Sequence, residues 1–307
     1  MTAGTMAERR ETGVGLFDSQ GAATWLLLGP CILYLLAFAI YPLFYSLRLS
    51  FTDLTAADST GSWIGLRNYR DLLLDPFFWN ATKNSAIMVA ATVALQVILG
   101  TALALFFNLH LKGAWIVRGI LVLPTLLTPI IVGVMWRALL NPDWGLINWL
   151  IARFGVEPPN WLGTTEWAMP TLIIVDVWQW TPFVFIIVFA RLQALPQDVF
   201  EAAQVEGSGP FTTFRYITLP MLMPAILFAA VFRAVDAFRS FDLIYGLSYG
   251  GPARTTTTLS FLTFQNGFQF QNYGYAAAVA YMMLIILVVG TTILLRYVQL
   301  RPGHATQ

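Results

Sequence analysis

Four charged side chains stand at successive three-residue steps in an otherwise apolar run, FAAVFRAVDAFRSFDLIYG: Arg233, Asp236, Arg239 and Asp242. On a helix, residues three apart share a face, so alternating signs at this spacing can pair. Arg233 falls near the middle of a membrane-length segment, where a charge costs about 2.5–3.5 kcal/mol or more on insertion scales. A residue held at that cost avoids lipid and faces a cavity or a neighbouring helix, which makes the four candidates for a solute pathway. The same charges would also serve as a self-neutralising ladder that only fixes helix packing, and both readings stand at this point. A second polar and aromatic cluster, Asp176, Trp178, Gln179 and Trp180, lies in another apolar run. Indole rings stack on the apolar face of a pyranose while carboxylate, guanidinium and amide groups hydrogen-bond its hydroxyls, so the clusters suit a sugar. Tryptophans in a span also act simply as packing or interface residues.

Other chemistries lack their residues. The lysines are Lys83 and Lys112, and neither completes a G-x-x-x-x-G-K-[ST] phosphate loop. If ATP drives this protein, another subunit binds it. His110 and His304 have no second histidine or cysteine at metal-ligand spacing, and neither G-x-S-x-G nor H-E-x-x-H occurs. No catalytic set and no metal site is expected. Cys31, the single cysteine, excludes an internal disulfide and reads as a buried, inert thiol.

The elements that must position these groups are membrane spans. Of 307 residues, 57% are hydrophobic and 11% charged, against about a quarter charged in soluble domains. A net charge of +1 gives no basic field for nucleic acid. Residues 1–22 read as a polar tail, and residues 23–301 as one all-α transmembrane domain. Six spans are expected near 25–49, 85–109, 116–140, 169–190, 222–245 and 276–298, each close to the ~20 residues that cross the hydrocarbon. Pro30 and Pro42 predict kinks or an early end in the first. After the third span, Trp144, Trp149 and Trp161 with Leu146, Ile147, Leu150 and Ile151 predict a short helix in the outer interface. It serves either as an aromatic anchor or to receive a donor protein.

Between the fourth and fifth spans runs a polar, helix-prone stretch, LPQDVFEAAQVEGSGPFTTFRYITLPMLMP. Pro196 and Asp198 signal a helix start, and Gly207 its stop in the left-handed conformation. Ser208 then predicts the cap of a second short helix through Phe211, Phe214 and Tyr216. With Phe200, these rings are too many for a simple solvated loop and mark a partner surface.

Glu201-Ala202-Ala203, three residues, Gly207, nine residues and Ile217-Thr218-Leu219-Pro220 together resemble the cytoplasmic EAA loop of permease subunits in bacterial ABC importers. GLIN-WL at Gly145–Leu150, FDLIY at Phe241–Tyr245, and the GGP and T-T-L elements that follow resemble the carbohydrate-uptake members, specifically the first permease of the pair. Tyr249 stands where that family more often has a glycine. The resemblance covers roughly residues 25–300.

The resemblance implies the type I importer permease fold, with residues 195–220 holding a coupling helix. Glu201, Ala202, Ala203, Gly207, Phe211 and Phe214 would meet the ATPase, while Asp236, Arg239, Arg233, Asp242, Trp178 and Gln179 would belong to the substrate pathway. It implies a second permease, two ATP-binding subunits or a homodimer of them carrying ATP and Mg, and an extracytoplasmic sugar-binding lipoprotein. The chain would bind no cofactor itself. It would lie in the bacterial inner membrane with both termini cytoplasmic and carry trehalose or a similar disaccharide. Lys and Arg divide almost evenly between the two sides, so the orientation rests on the motif. The alternative is a stand-alone secondary transporter of a small polar solute, for which inverted repeats and broken helices are expected and no second copy of the loop is seen.

Overall fold

The computed structural model describes residues 19–58, 60–109 and 113–299. Most of the N-terminal tail, the Lys112 turn and the end beyond residue 299 lie outside the described residues. The chain divides into two units, Met1–Leu49 and Ser50–Gln307.

In the first unit, α1 (Ser19–Leu35) continues through a π-helical turn, Leu36–Ile40, into α2 (Tyr41–Leu49). Pro42 lacks an N–H, and its ring displaces the carbonyl four residues back, at Phe38. The wider π turn absorbs that conflict, so the helix runs on to Leu49 instead of ending early. Its stretch Trp25–Leu49 is long and apolar enough to cross a membrane. Cys31 is exposed on it, contrary to the expected buried thiol, because no other described element of this unit covers it.

In the second unit, α3 (Arg67–Leu74) leads into α4 (Pro76–Asn108). Asp75 caps α4 by accepting from the Phe77 N–H at 2.9 Å, with Pro76 in the first turn, where its missing donor does no harm. Next come α5 (Ala114–Leu126) and α6 (Pro129–Leu139), which meet at 101°. The expected straight third span is therefore a bent pair. Proline disfavours the helical conformation for the residue before it, and Thr128 is extended (φ −64°, ψ 133°) ahead of Pro129.

The short helix α7 (Leu146–Arg153) carries Trp144 and Trp149 exposed nearby, while Trp161 is tied to Asn148 by a 2.6 Å hydrogen bond. The long α8 (Thr165–Gln193) precedes α9 (Gln197–Val205) and α10 (Pro210–Thr213). A π-helical turn, Phe214–Thr218, joins α10 to α11 (Leu219–Phe238) without a break, so Pro210–Phe238 forms one column of membrane-spanning length. The helix expected to reach residue 245 thus ends at Phe238, and α12 (Asp242–Leu247) is separate. Ser240 and Asp242 sit at that break, where short polar side chains prefer to be. The chain closes with α13 (Leu259–Phe264), a π-helical turn Gln265–Gln269 and α14 (Tyr273–Gln299). Among the described residues, five helices are long and apolar enough to span, six if the bent pair counts as one.

The centre is α4, α8 and α11 packed together, with Ala104, Phe107, Val184, Phe185, Val188, Leu222, Ile226 and Ala229 buried between them. A second apolar cluster joins Val132 of α6, Val175 of α8, Leu243, Ile244 and Leu247 of α12 and Phe261 of α13. Two glycines let α6 and α12 touch backbone to backbone. A Cβ on Gly133 would lie 2.9 Å from the Leu243 carbonyl oxygen, and one on Gly246 2.7 Å from that of Ile130. Small residues at such crossings let helices associate where lipid removes the hydrophobic drive.

Candidate functional site

Arg233 is wholly buried on α11, and each part of its guanidinium has a partner. Its Nε donates to Gln96 Oε1 at 2.9 Å, Nη2 to Asp176 Oδ2 at 3.0 Å, and Nη1 to Asp236 Oδ2. Gln96 closes the ring by donating to Asp176 Oδ2 at 2.8 Å and to the Asp176 carbonyl at 3.1 Å. The guanidinium also lies 4.6 Å over the Trp180 ring. One cation therefore ties α4, α8 and α11 together. Fixed partners and a cation–π contact replace the water it has lost.

Asp236 is the exception to this burial: its side chain is 47% exposed and lines a polar cavity of about 230 Å3. Pro129, Asp176, Trp180, Arg239, Ser240, Phe241, Asp242 and Leu243 form the rest of its wall. Arg239 and Asp242 are exposed, and neither makes an ion pair with a described residue. The sequence spacing suggested one ladder of four charges. Instead the helix stops at Phe238, the run of i, i+3 neighbours is cut, and only Arg233 and Asp236 pair along it. Arg239 and Asp242 thus line the cavity without an ion pair among the described residues, beside the half-exposed Asp236, which is paired with Arg233. Arg233 stands behind the wall.

Trp178 and Gln179 do not line this cavity. Gln179 is buried and donates to the Leu127 carbonyl at 2.9 Å, supplying a partner to backbone freed at the α5–α6 bend. Trp178 packs edge-to-face on Trp136, 5.4 Å between centroids, beside an apolar groove between α4, α5 and α8. Gln96 escaped the sequence reading, although a lone amide in the apolar run of α4 was a visible signal.

In the α8–α11 connection, α9 ends as a full C-terminal motif: the Gly207 N–H donates to the Gln204 carbonyl at 3.0 Å and the Ser208 N–H to that of Ala203 at 2.9 Å. Gly207 sits at φ +76°, where a Cβ is disfavoured, yet has open space around it. Gly209, not Ser208, is the cap residue of α10; the Ser208 hydroxyl instead accepts from Thr213. Glu201, Ala202, Val205 and Phe211 are exposed, Val205 at 90% and Phe211 at 78%. Ala203 is buried, Phe214 half-buried, and Phe200 packs into the central core and anchors α9.

Tyr249 follows α12 at φ +54°. That conformation costs a residue with a Cβ about 1–2 kcal/mol, which gives the glycine usual at this place a physical reason. Its hydroxyl accepts from Gln269 Nε2 at 2.7 Å.

The described residues thus form a helical membrane fold with a charged cavity wall in its interior and an exposed loop, and the family to which the chain belongs makes it a transport subunit rather than an enzyme. Residues 96–302 match the family described as binding-protein-dependent transport system inner membrane component, and the chain belongs to that family. It is 36% identical over 272 residues to a trehalose/maltose transport system permease of Thermococcus litoralis, covering 89% of this chain and 92% of that one. It is 31% identical over 287 residues to a trehalose transport system permease of Mycobacterium tuberculosis, covering 90% of each. The fold is that of an ABC importer permease: a chain of a bacterial ABC transporter involved in the import of alginate superposes with a TM-score of 0.82 at 22% identity, over 92% of this chain and 97% of that one.

Proposed function

We propose that this chain is the first permease subunit of an ATP-driven importer of a neutral disaccharide, trehalose or a close analogue. A second related permease, two ATP-binding subunits carrying ATP and Mg, and an external sugar-binding protein complete the machine. The 195–220 connection and both termini face the cytoplasm in this reading. Exposed Glu201, Val205 and Phe211, with Gly207 beside them, form the surface on which the ATPase seats, while Ala203 and Phe200 fix α9 from beneath.

The observation that carries the reading is the cavity at the other end of α11. Its carboxylates, guanidinium, hydroxyl and indole are the groups that recognise a sugar, and they stand on a wall braced by Arg233, Asp176 and Gln96. At about 230 Å3 it is smaller than the usual ligand pocket of ~300–1,000 Å3, as expected of one half of a site that a second permease completes. The relatives' trehalose and maltose supply the cargo.

The test is ATP-dependent uptake by the assembled transporter in proteoliposomes, with trehalose, maltose and a monosaccharide offered through the binding protein. Uptake of a disaccharide that requires ATP supports the reading. Uptake driven by an ion gradient in this chain alone would overturn it.

A further inference from the structure

Three rings stand one turn apart from the polar cavity outward. Phe241 lines the cavity. Tyr245 follows at 5.5 Å between centroids, and Tyr249 at 5.1 Å beyond it. Burial falls off along the series: Phe241 and Tyr245 are half-buried, and Tyr249 is 45% exposed. From the inner side Phe264 supports the first two, at 4.9 Å from Phe241 and edge-on to Tyr245 at 5.4 Å.

Core packing accounts for Phe241, Tyr245 and Phe264, which border the second apolar cluster. It accounts for only one edge of Tyr249, the contact with Phe261. That position closes α12 in the left-handed conformation, where glycine would be relaxed and tyrosine is strained. Its ring meets Phe261 edge-on at 5.6 Å with one side and leaves 45% of the residue exposed, and its hydroxyl is held by Gln269. A strained backbone with a half-exposed, oriented side chain is the pattern of a residue kept for what its side chain does.

We propose that Tyr249, Tyr245 and Phe241 form an aromatic track that receives a sugar by its ring faces and passes it to the cavity at Asp236, Arg239 and Asp242. The inference rests on the sugar-importer reading above and adds the route of entry. Rings five to six ångströms apart offer successive stacking surfaces of similar strength, so a pyranose moves along them without meeting one deep trap. The track lies at the end of α11 opposite the 195–220 connection, on the side where a solute enters from an external donor.

Three variants separate this role from a structural one, measured in the complete transporter with its ATPase subunits and binding protein. Tyr249→Asn keeps a residue that tolerates the left-handed backbone but removes the ring, and Tyr249→Gly relieves the strain altogether. Both should leave assembly and binding-protein-stimulated ATP hydrolysis in place and lower trehalose uptake about two- to tenfold, the value of one aromatic contact. Tyr249→Phe, which loses the Gln269 bond and keeps the ring, should stay within about twofold of wild type. Wild-type uptake by the Asn and Gly variants would overturn the track, as would a Phe variant as poor as Asn, since the hydroxyl bond and the turn would then be what matters. Failure of the wild-type transporter to move any disaccharide would instead sink the importer reading, and the track with it.

Discussion

Removing the buried cation should be costly alone and much cheaper when its buried partner goes too. Arg233→Met replaces three side-chain hydrogen bonds and a cation–π contact with an apolar chain of similar length. Asp236 is half-exposed and can turn to water, but the Asp176 side chain is only 2% exposed and is left with Gln96 alone. Breaking a buried pair in this way costs about 3–5 kcal/mol. In Arg233→Met/Asp176→Leu neither charge remains. Gln96 loses its bond to the residue 176 side chain but keeps Nε2 partnered by its 3.1 Å bond to the backbone carbonyl there, which leaves Oε1 as its one atom without a partner. The double variant should therefore lose about 1–3 kcal/mol, the value of one unsatisfied buried polar group. Equilibrium unfolding of the purified protein in mixed micelles, run as a double-mutant cycle, reads both numbers. A double variant no more stable than the single one would show that the network is not a closed ion pair, and the account of the wall behind the cavity would fail.

Exchanging only the exposed pair, Arg239→Asp with Asp242→Arg, leaves the buried network untouched, so the transporter should assemble and hydrolyse ATP while uptake falls or changes its sugar preference; unchanged transport would remove both residues from the pathway. Exchanging Arg233 as well would set an acidic residue against Asp176 and is expected to prevent folding. Gly207→Asp should insert normally, because its Cβ meets open space, and still abolish uptake at the surface proposed to seat the ATPase; membrane abundance and sugar uptake measured side by side decide it. Gly246→Ala puts a carbon 2.7 Å from the Ile130 carbonyl oxygen and should destabilise the α6–α12 crossing by about 1–3 kcal/mol, read as a lower thermal midpoint. Gln179→Leu should cost a similar amount, about 1–3 kcal/mol, by orphaning the Leu127 carbonyl at the bend, with little effect on sugar preference among the molecules that remain folded.

Local signals were legible where one residue type answers one local demand. Gly207 carries the left-handed stop of α9, and the apolar runs carry the long helices, because backbone conformation and membrane thickness act on each segment alone. Three-residue spacing misled at Arg239 and Asp242, since it presumes a helix that continues and the helix ends at Phe238. Arg233 drew attention through its cost, but its partners Asp176 and Gln96 lie 57 and 137 positions away in the chain, and no local rule selects them. Gln179 looked like a ligand for a sugar because its type fits one. Its actual partner, a carbonyl at the α5–α6 break, exists only because Thr128 and Pro129 break a run that hydropathy reads as continuous. Tyr249 was visible as a departure from a glycine, and the positive φ turns that departure into strain.

The 101° corner between α5 and α6 also sets a demand on the bilayer. Thirteen and eleven residues give arms of roughly 20 and 17 Å at ~1.5 Å per residue, and neither reaches across a hydrocarbon layer ~30 Å thick. A corner places non-helical backbone at a depth where lipid offers it no hydrogen bonds, and such backbone persists only against protein or a wet cavity. Gln179 shelters one carbonyl from within the subunit, while Leu126 beside it is 73% exposed. The corner thus has a polar partner on the α8 side and an uncovered apolar side chain next to it. A subunit alone in a membrane would have to thin or wet the lipid there, so making this chain without the second permease proposed for it should leave it prone to proteolysis, and assembly would become a condition of its survival as well as of its activity.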